Sequence, residues 1–151
     1  MSGDPAQTAL NIPQADARAR LQKLAFTMLS PSLGRRGRTL IAHDAVDRAF
    51  AAGEVNPVAT YPVLRERVVR RTLATARRRA VLATRAAGRS RRGTAEPDLA
   101  FLLPAARAAY ALRHVEGLDR TETHAVLAAV GVGDPATATT LADRILTDTR
   151  P

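Results

Sequence analysis

Apolar residues recur at steps of three and four along this chain, and that spacing most constrains its fold. The clearest stripe consists of Leu21, Leu24, Ala25, Met28 and Leu29. Side chains with this spacing lie on one face of a helix. Only 3% of the residues are aromatic although 46% are hydrophobic, so the core must be built from leucine, valine, isoleucine and alanine. Because alanine and leucine favour helices, the 151-residue sequence predicts an all-α protein of one ordinary domain or two very small ones.

Prolines, glycines and capping residues predict where the first three helices begin and end. We expect a flexible arm over residues 1–13, a first helix over residues 14–30 that Pro31 stops, and a basic loop over residues 32–38. A second helix over residues 39–52 is followed by Gly53, by another loop over residues 54–60 and by a long third helix over residues 61–87. Thr60 is the expected cap of the third helix, with Pro62 in its first turn. The apolar faces of these helices should form a core that Phe26, Phe50 and Phe101 anchor.

A Gly/Arg/Ser-rich stretch without apolar periodicity, residues 88–98, is predicted to be a basic linker. It would join an N-terminal helical domain, residues 14–87, to a C-terminal domain, residues 99–151. The sequence thus predicts two small helical domains.

The C-terminal domain carries signals for three further helices. A short apolar segment precedes Pro104, which is expected to start a helix that runs to about residue 115. Asp119 and Glu122 have the spacing of a capping box, and apolar positions of the helix they open are Ala125, Val126, Ala129 and Val130. Asp134 and Pro135 suit the cap and first position of a last helix, which should reach about residue 146. Two helices joined by a short glycine-containing turn predict a helix-turn-helix.

Charge is distributed unevenly along the chain. The net charge is +9; the first 92 residues carry 18 basic and 6 acidic residues, whereas the remainder carry 5 and 8. This asymmetry predicts that the first part meets a polyanion or an acidic partner. The candidate DNA-contacting residues of the third helix are Arg70, Arg71, Arg77, Arg78 and Arg79. The alternative is a solvated helix face that continues into a linker.

The sequence offers no recognisable catalytic or metal-binding set. It has no cysteine, which removes thiol chemistry and disulfides. His43, His114 and His124 lie in three different predicted helices without metal-ligand spacing. No stretch approaches the roughly 20 apolar residues of a membrane span, and no secretion signal is recognisable. We therefore expect a cytoplasmic protein that is not an enzyme, needs no cofactor and has no membrane partner.

Several segments resemble the extracytoplasmic-function group of bacterial sigma factors. Residues 103–118, LPAARAAYALRHVEGL, are similar to the start of that group's promoter-reading C-terminal domain. Residues 24–26, LAF, resemble part of its first helix, and residues 41–50 resemble its acidic, clamp-contacting helix. Residues 68–78, VVRRTLATARR, resemble its promoter-facing basic helix. The similarity covers about residues 15–146 in the family's order.

This resemblance implies a transcription regulator whose partners are DNA, core RNA polymerase and an anti-sigma-like or other regulatory protein. Asp44, Asp47 and Arg48 would contact polymerase, and the arginines of the third helix would lie along promoter DNA. The last helix would face the upstream promoter element. Its candidate DNA-contacting residues are Thr137, Thr139, Thr140 and Arg144.

Two alternatives remain open. The last helix has few basic residues, and Asp143 adds a repulsive charge, whereas affinity for DNA depends largely on lysine and arginine. The chain would then be a degenerate sigma-like protein that acts by protein contacts without promoter recognition. A third hypothesis is a non-specific nucleic-acid binder that uses only the arginine-rich helix.

Overall fold

The computed structural model describes residues 5–53, 61–90 and 97–148, and within these ranges the backbone is helical with no strand. The prediction of an all-α fold is confirmed. A 3₁₀-helix, Pro31–Leu33, lies between the first two α-helices. The α-helices are α1 (Pro5–Met28), α2 (Gly34–Gly53), α3 (Tyr61–Ser90), α4 (Pro97–His114), α5 (Arg120–Ala129) and α6 (Pro135–Asp148). No helix in the described ranges has the length and apolar composition needed to cross a membrane.

The predicted apolar stripes form the core. All five residues of the α1 stripe are buried, and α2 adds Ala42, Ala45, Val46 and Ala49. Phe26 and Phe50 pack at the edge of this core, where arginine guanidinium groups cover their rings: Arg38 lies 4.0 Å from the Phe26 centroid and Arg18 lies 4.4 Å from that of Phe50. These arginine side chains therefore cover the edge of the core at the two aromatic rings, in cation–π contacts. The side chain of Phe101 lies outside the described residues.

The first two helices begin earlier than the sequence predicted. α1 starts at Pro5, so residues 5–13 are helical rather than an irregular arm, and α2 starts at Gly34 rather than Thr39. Proline suits the first turn of a helix, and arginine is a good helix former, so the basic segment after Leu33 continues as helix. Arg38 also donates through Nε and Nη2 to the Phe26 carbonyl oxygen, at 3.2 and 2.9 Å. That contact fixes the start of α2 against the end of α1.

The predicted linker is shorter than expected. α3 extends to Ser90 and α4 begins at Pro97, so only residues 91–96 lie outside the described helices in that stretch. Pro104 is buried inside α4 and does not start it. An internal proline removes one backbone hydrogen bond, and here Pro97 takes the first-turn position instead. The loop expected over residues 54–60, including the Thr60 cap, lies outside the described residues.

α5 and α6 are the two helices that the sequence predicted on either side of a short glycine-containing turn. Asp119 accepts the backbone N–H of Glu122 at 2.8 Å, and Glu122 accepts that of Asp119 at 2.9 Å, which completes the capping box. Gly131, with φ of +89°, makes the turn that joins α5 to α6. The buried side of α5 differs from the prediction. It consists of Thr123 and Leu127, followed by Val130 just after the helix, whereas Ala125 and Ala129 are exposed.

One apolar cluster runs through both halves of the chain. It joins Val69 and Leu73 of α3 to Ala108 and Leu112 of α4, and continues to Ala138 of α6. The C-terminal helices therefore help to bury the inner face of α3, and the two predicted domains share a core in this structure.

The shared core predicts coupled unfolding. Leu112→Ala removes a fully buried side chain and should lower the free energy of unfolding by about 2–5 kcal/mol. In a Tyr110→Phe background, Tyr61 is the remaining tyrosine and the chain has no tryptophan, so fluorescence reports α3. Urea midpoints followed by Tyr61 fluorescence and by circular dichroism should fall equally. A Tyr61 midpoint that stays unchanged contradicts a shared core.

Candidate nucleic-acid interface

The helical geometry of α3 places its arginines on different sides of the helix. Arg71, Arg78 and Arg85 recur every seven residues, which places them on one side of a helix, and all three are exposed. Thr75 and Leu82 lie between them on the same side. We call these five residues the arginine face. Arg85 lies within the predicted range of the third helix but was not among its candidate DNA-contacting residues.

The guanidinium groups of the arginine face have no acidic partner within the described ranges. The salt bridges there that involve α3 join Arg70 to Glu66 and Arg65 to Glu116. Arg78 makes one long contact of 3.5 Å from Nη2 to Thr75 Oγ1. The positive charge of this face is therefore available to an external anion.

The other predicted α3 residues point elsewhere or are already bound. Arg70 donates from Nη2 to Glu66 Oε1 at 2.9 Å and to the carbonyl oxygen of Ala129 at 2.8 Å. The second contact satisfies a backbone acceptor at the C-terminal end of α5, where a cation is favourable. Arg77 lies on the same side of α3 as Arg70 and is half-buried. Arg79 is exposed beside the arginine face.

A groove between α2 and α3 brings together residues that the sequence assigned to two different partners. Its volume is about 600 Å³. The lining residues are Leu40, Ile41, Asp44, Ala45, Arg48, Arg71, Ala74, Thr75 and Arg78. We call this surface the α2/α3 groove. The predicted polymerase contacts Asp44 and Arg48 thus stand opposite two of the predicted DNA contacts.

The acidic side chains of α2 are exposed but paired. Asp44 accepts from Arg48 Nε at 3.0 Å, and Asp47 accepts from Arg18 Nη1 at 2.5 Å. Asp47 therefore faces α1, while Asp44 faces the groove. Exposed pairs of this kind contribute little to stability, so both carboxylates can exchange partners, but they do not form one acidic patch.

The last helix offers fewer contacts than the sequence suggested. Thr139 is fully buried and its hydroxyl donates to the Pro135 carbonyl oxygen at 2.8 Å, so its assignment as a DNA contact is wrong. Its burial is set by packing that the sequence pattern does not reveal. Thr140 accepts from Arg120 Nη2 at 3.3 Å, and Arg144 is exposed.

Thr137 serves as part of the α6 cap. Its N–H donates to Asp134 Oδ1 at 3.0 Å and its hydroxyl donates to Oδ2 at 2.5 Å. These two bonds lower the pKa of Asp134, because they stabilise the carboxylate form. Asp143 pairs with Arg113 and lies 3.9 Å from Arg120. The charged groups around α6 therefore largely pair with one another. Among the DNA contacts predicted on α6, Arg144 is the exposed cation.

A buried charge cluster, which the sequence did not predict, holds α3 in place. The Glu116 side chain is 1% exposed and lies between Arg20 of α1 and Arg65 of α3, at 3.8 and 3.7 Å. Tyr61 donates its hydroxyl to Glu116 Oε1 at 2.5 Å, and the Arg20 guanidinium lies 5.6 Å from the Tyr61 ring. We call these four residues the Glu116 cluster. Burial and the neighbouring carboxylate raise the pKa of Tyr61.

No metal centre is present among the described residues, which contain no group of three histidine or carboxylate side chains suited to a metal ion. Comparison with protein families, characterised proteins and solved structures finds no match to this chain.

The Glu116 cluster predicts a cost for removing its charge. Glu116→Gln retains a hydrogen-bond acceptor for Tyr61 but leaves Arg20 and Arg65 without their counter-ion. We expect the free energy of unfolding to fall by about 1–3 kcal/mol, measured by urea denaturation. The matched control is Asp44→Asn, which breaks an exposed pair and should cost less than about 1 kcal/mol. Equal losses in the two variants contradict the role of the cluster.

The raised pKa of Tyr61 predicts a loss of stability in alkali. Below the ordinary tyrosine pKa of 10.0 the hydroxyl is protonated in both states, and the full stabilisation is present. Above it, the unfolded chain releases this proton while the folded chain retains it, so stability falls as pH rises. Urea midpoints compared at about pH 8 and about pH 11 should fall less in Tyr61→Phe than in the wild type. Tyr110→Phe is the control and should behave as the wild type; an unaltered pH dependence in Tyr61→Phe refutes this prediction.

Proposed function

We propose that this protein is a sigma-factor-like transcription regulator that acts in the cytoplasm and contacts DNA through the arginine face of α3. The observation that carries the proposal is the line of exposed guanidinium groups of Arg71, Arg78 and Arg85, which have no carboxylate partner in the described part of the chain. The order of helices and the resemblance of residues 103–118 to a sigma C-terminal domain support the same proposal.

The dimensions of the arginine face suit a nucleic-acid backbone. Arg71 and Arg85 are 14 residues apart, which corresponds to about 21 Å along a helix. Duplex DNA carries one negative charge per about 1.7 Å of its axis, so several phosphates lie within reach of such a line. Phosphate contacts of this type position a protein on DNA but do not read its sequence. The arginine face therefore supplies affinity and not sequence readout.

A second candidate function follows from the state of α6. Thr139 is buried, Thr137 caps its own helix, and Asp143 is paired with Arg113. Base readout favours arginine, lysine, asparagine or glutamine, and only Arg144 of these types is predicted to face DNA from α6. The competing proposal is a degenerate sigma-like protein that binds core RNA polymerase or a regulatory protein without recognising a promoter.

DNA binding should depend on the arginine face. Arg78→Gln/Arg85→Gln removes two phosphate contacts, so the slope of log K against log salt should become shallower by up to about 2, at about 0.9 per contact. Fluorescence anisotropy with duplex DNA over a range of salt concentrations measures this slope.

The matched control for that experiment is Arg77→Gln/Arg144→Gln, which removes the same charge from two positions outside the arginine face, one on α3 and one on α6. Its salt slope should stay near that of the wild type. If the control loses as much affinity and slope as Arg78→Gln/Arg85→Gln, net charge rather than the arginine face governs binding, and the proposal fails.

Reconstituted transcription separates the two candidate functions. Specific initiation with core RNA polymerase and promoter DNA supports the regulator that binds promoters. Binding to polymerase without initiation, with no preference among DNA sequences, supports the protein-contact alternative. Binding to neither polymerase nor DNA contradicts both.

A further inference from the structure

The α2/α3 groove has an apolar floor between two polar walls. Ala45 and Ala74 stand on opposite helices, and Ile41 continues the floor on α2. Because alanine carries only a methyl group, the two helices leave a space of about 600 Å³ between them. Cavities of about 300–1,000 Å³ accommodate small-molecule ligands. The groove is therefore large enough for a small molecule with a flat apolar part.

Guanidinium groups stand on both walls of the groove. Arg71 and Arg78 lie on the α3 wall about 10 Å apart, since seven residues separate them. Arg48 lies on the α2 wall and uses Nε in its pair with Asp44, at 3.0 Å, which leaves its Nη groups as donors. Guanidinium groups bind phosphate oxygens in charge-assisted, paired hydrogen bonds. With three arginines and one aspartate, the lining has a formal charge of +2, which favours a diphosphate over a neutral ligand.

Two further polar groups of the lining can recognise a ligand beyond its charge. Asp44 Oδ1 accepts from Arg48, whereas Oδ2 has no hydrogen-bond partner in the described part of the chain. A carboxylate is an acceptor only, so this oxygen suits an N–H group and repels a phosphate. Thr75 lies on the opposite wall, and its hydroxyl can donate and accept. The groove therefore offers sites for phosphate, for a flat ring and for N–H donors on the edge of that ring.

We propose that the α2/α3 groove binds a guanine nucleoside diphosphate, and that this ligand regulates the protein by occupying Arg71 and Arg78. Its diphosphate accepts hydrogen bonds from the guanidinium groups of both walls, and its base packs on the methyl groups of Ala45 and Ala74. Guanine carries N–H donors side by side at N1 and N2, and these face Asp44. Adenine has one amino group beside an acceptor nitrogen, which a carboxylate repels, so guanine fits this wall better.

The combination of groups in the groove favours a nucleotide over simpler anions and over DNA. Inorganic phosphate contacts the arginines but leaves the apolar floor and Asp44 unused. In duplex DNA the N1 and N2 donors of guanine are already engaged in base pairs, so only the phosphates are open to this surface. The nucleotide-binding part of the proposal stands on the groove alone, whereas the regulatory part rests on the DNA contact of the proposed function.

The first test compares three ligands on the full chain by isothermal titration calorimetry. GDP should bind at least about tenfold more tightly than pyrophosphate, which lacks the base, and about tenfold more tightly than ADP, which corresponds to about 1.4 kcal/mol. Equal affinity of GDP and pyrophosphate overturns the nucleotide site. Equal affinity of GDP and ADP overturns the recognition of guanine by Asp44.

Asp44→Asn tests the reading of the base separately from the phosphate. The asparagine lacks the negative charge that favours the guanine donors and repels phosphate. The variant should therefore bind pyrophosphate more tightly than the wild type and lose most of its preference for GDP over ADP. A preference that stays at the wild-type value contradicts a contact between Asp44 and the base.

Two matched pairs of variants separate the groove from the rest of α3. Ala74→Leu fills the floor at an exposed position and should weaken GDP binding about tenfold, whereas Ala83→Leu makes the same change at an exposed position outside the groove and should not. Arg71→Gln should weaken GDP binding, whereas Arg85→Gln removes the same charge outside the lining and should leave it unchanged. Circular dichroism checks that all four variants remain helical. Equal losses within either pair overturn the site.

Competition with labelled duplex DNA tests regulation. GDP should displace DNA from the wild type, and about tenfold more GDP should be needed with Ala74→Leu. Simultaneous binding of GDP and DNA, without displacement, overturns the regulatory part. If GDP binds and the chain binds no DNA, the proposed function fails while the nucleotide site stands. If DNA binds and GDP does not, the nucleotide site fails while the proposed function stands.

Discussion

The carboxylate of Glu116 is the constraint on which the arrangement of the helices depends. A buried charge is costly unless it is paired and hydrogen-bonded, and this one has Tyr61, Arg20 and Arg65 around it. Those partners come from the first helix and from the start of the third, whereas Glu116 follows the fourth. Satisfying one carboxylate therefore ties both halves of the chain to the N-terminal end of α3. The cost of leaving it unpaired discourages any arrangement that separates them.

This anchoring decides which arginines remain available. With the start of α3 held by Glu116, Val69 and Leu73 turn into the shared core and Arg70 reaches the carbonyl of Ala129. The opposite side of the helix then carries Arg71, Arg78 and Arg85 toward the outside. Arg65 and Arg70 bind groups within the fold, whereas Arg71, Arg78 and Arg85 are exposed. The number of arginines available on the outer side of α3 thus depends on how the helix is rotated as well as on its composition.

Helices and caps were predictable because their causes are local. The α1 stripe, the capping box of Asp119 and Glu122, and the Asp134 cap each depend on residues within a few positions. Pro104 was misread because a proline in the first turn and one inside a helix leave similar local patterns. The burial of Thr139 and the Glu116 cluster depend on contacts between distant segments, and periodicity in one sequence carries little information about these. The seven-residue spacing of Arg71, Arg78 and Arg85 was visible in the sequence, but the side of α3 that faces outward is set by its packing against distant segments.

The central claim is that the outer side of α3, and not α6, contacts DNA. Two-dimensional ¹H–¹⁵N spectra of the 16.1 kDa chain, recorded during titration with duplex DNA, test it at each backbone amide. The account predicts that shifts concentrate at Arg71, Thr75, Arg78, Leu82 and Arg85. Residues 136–144 should change little. Shifts confined to α6, with the α3 amides unmoved, would contradict it.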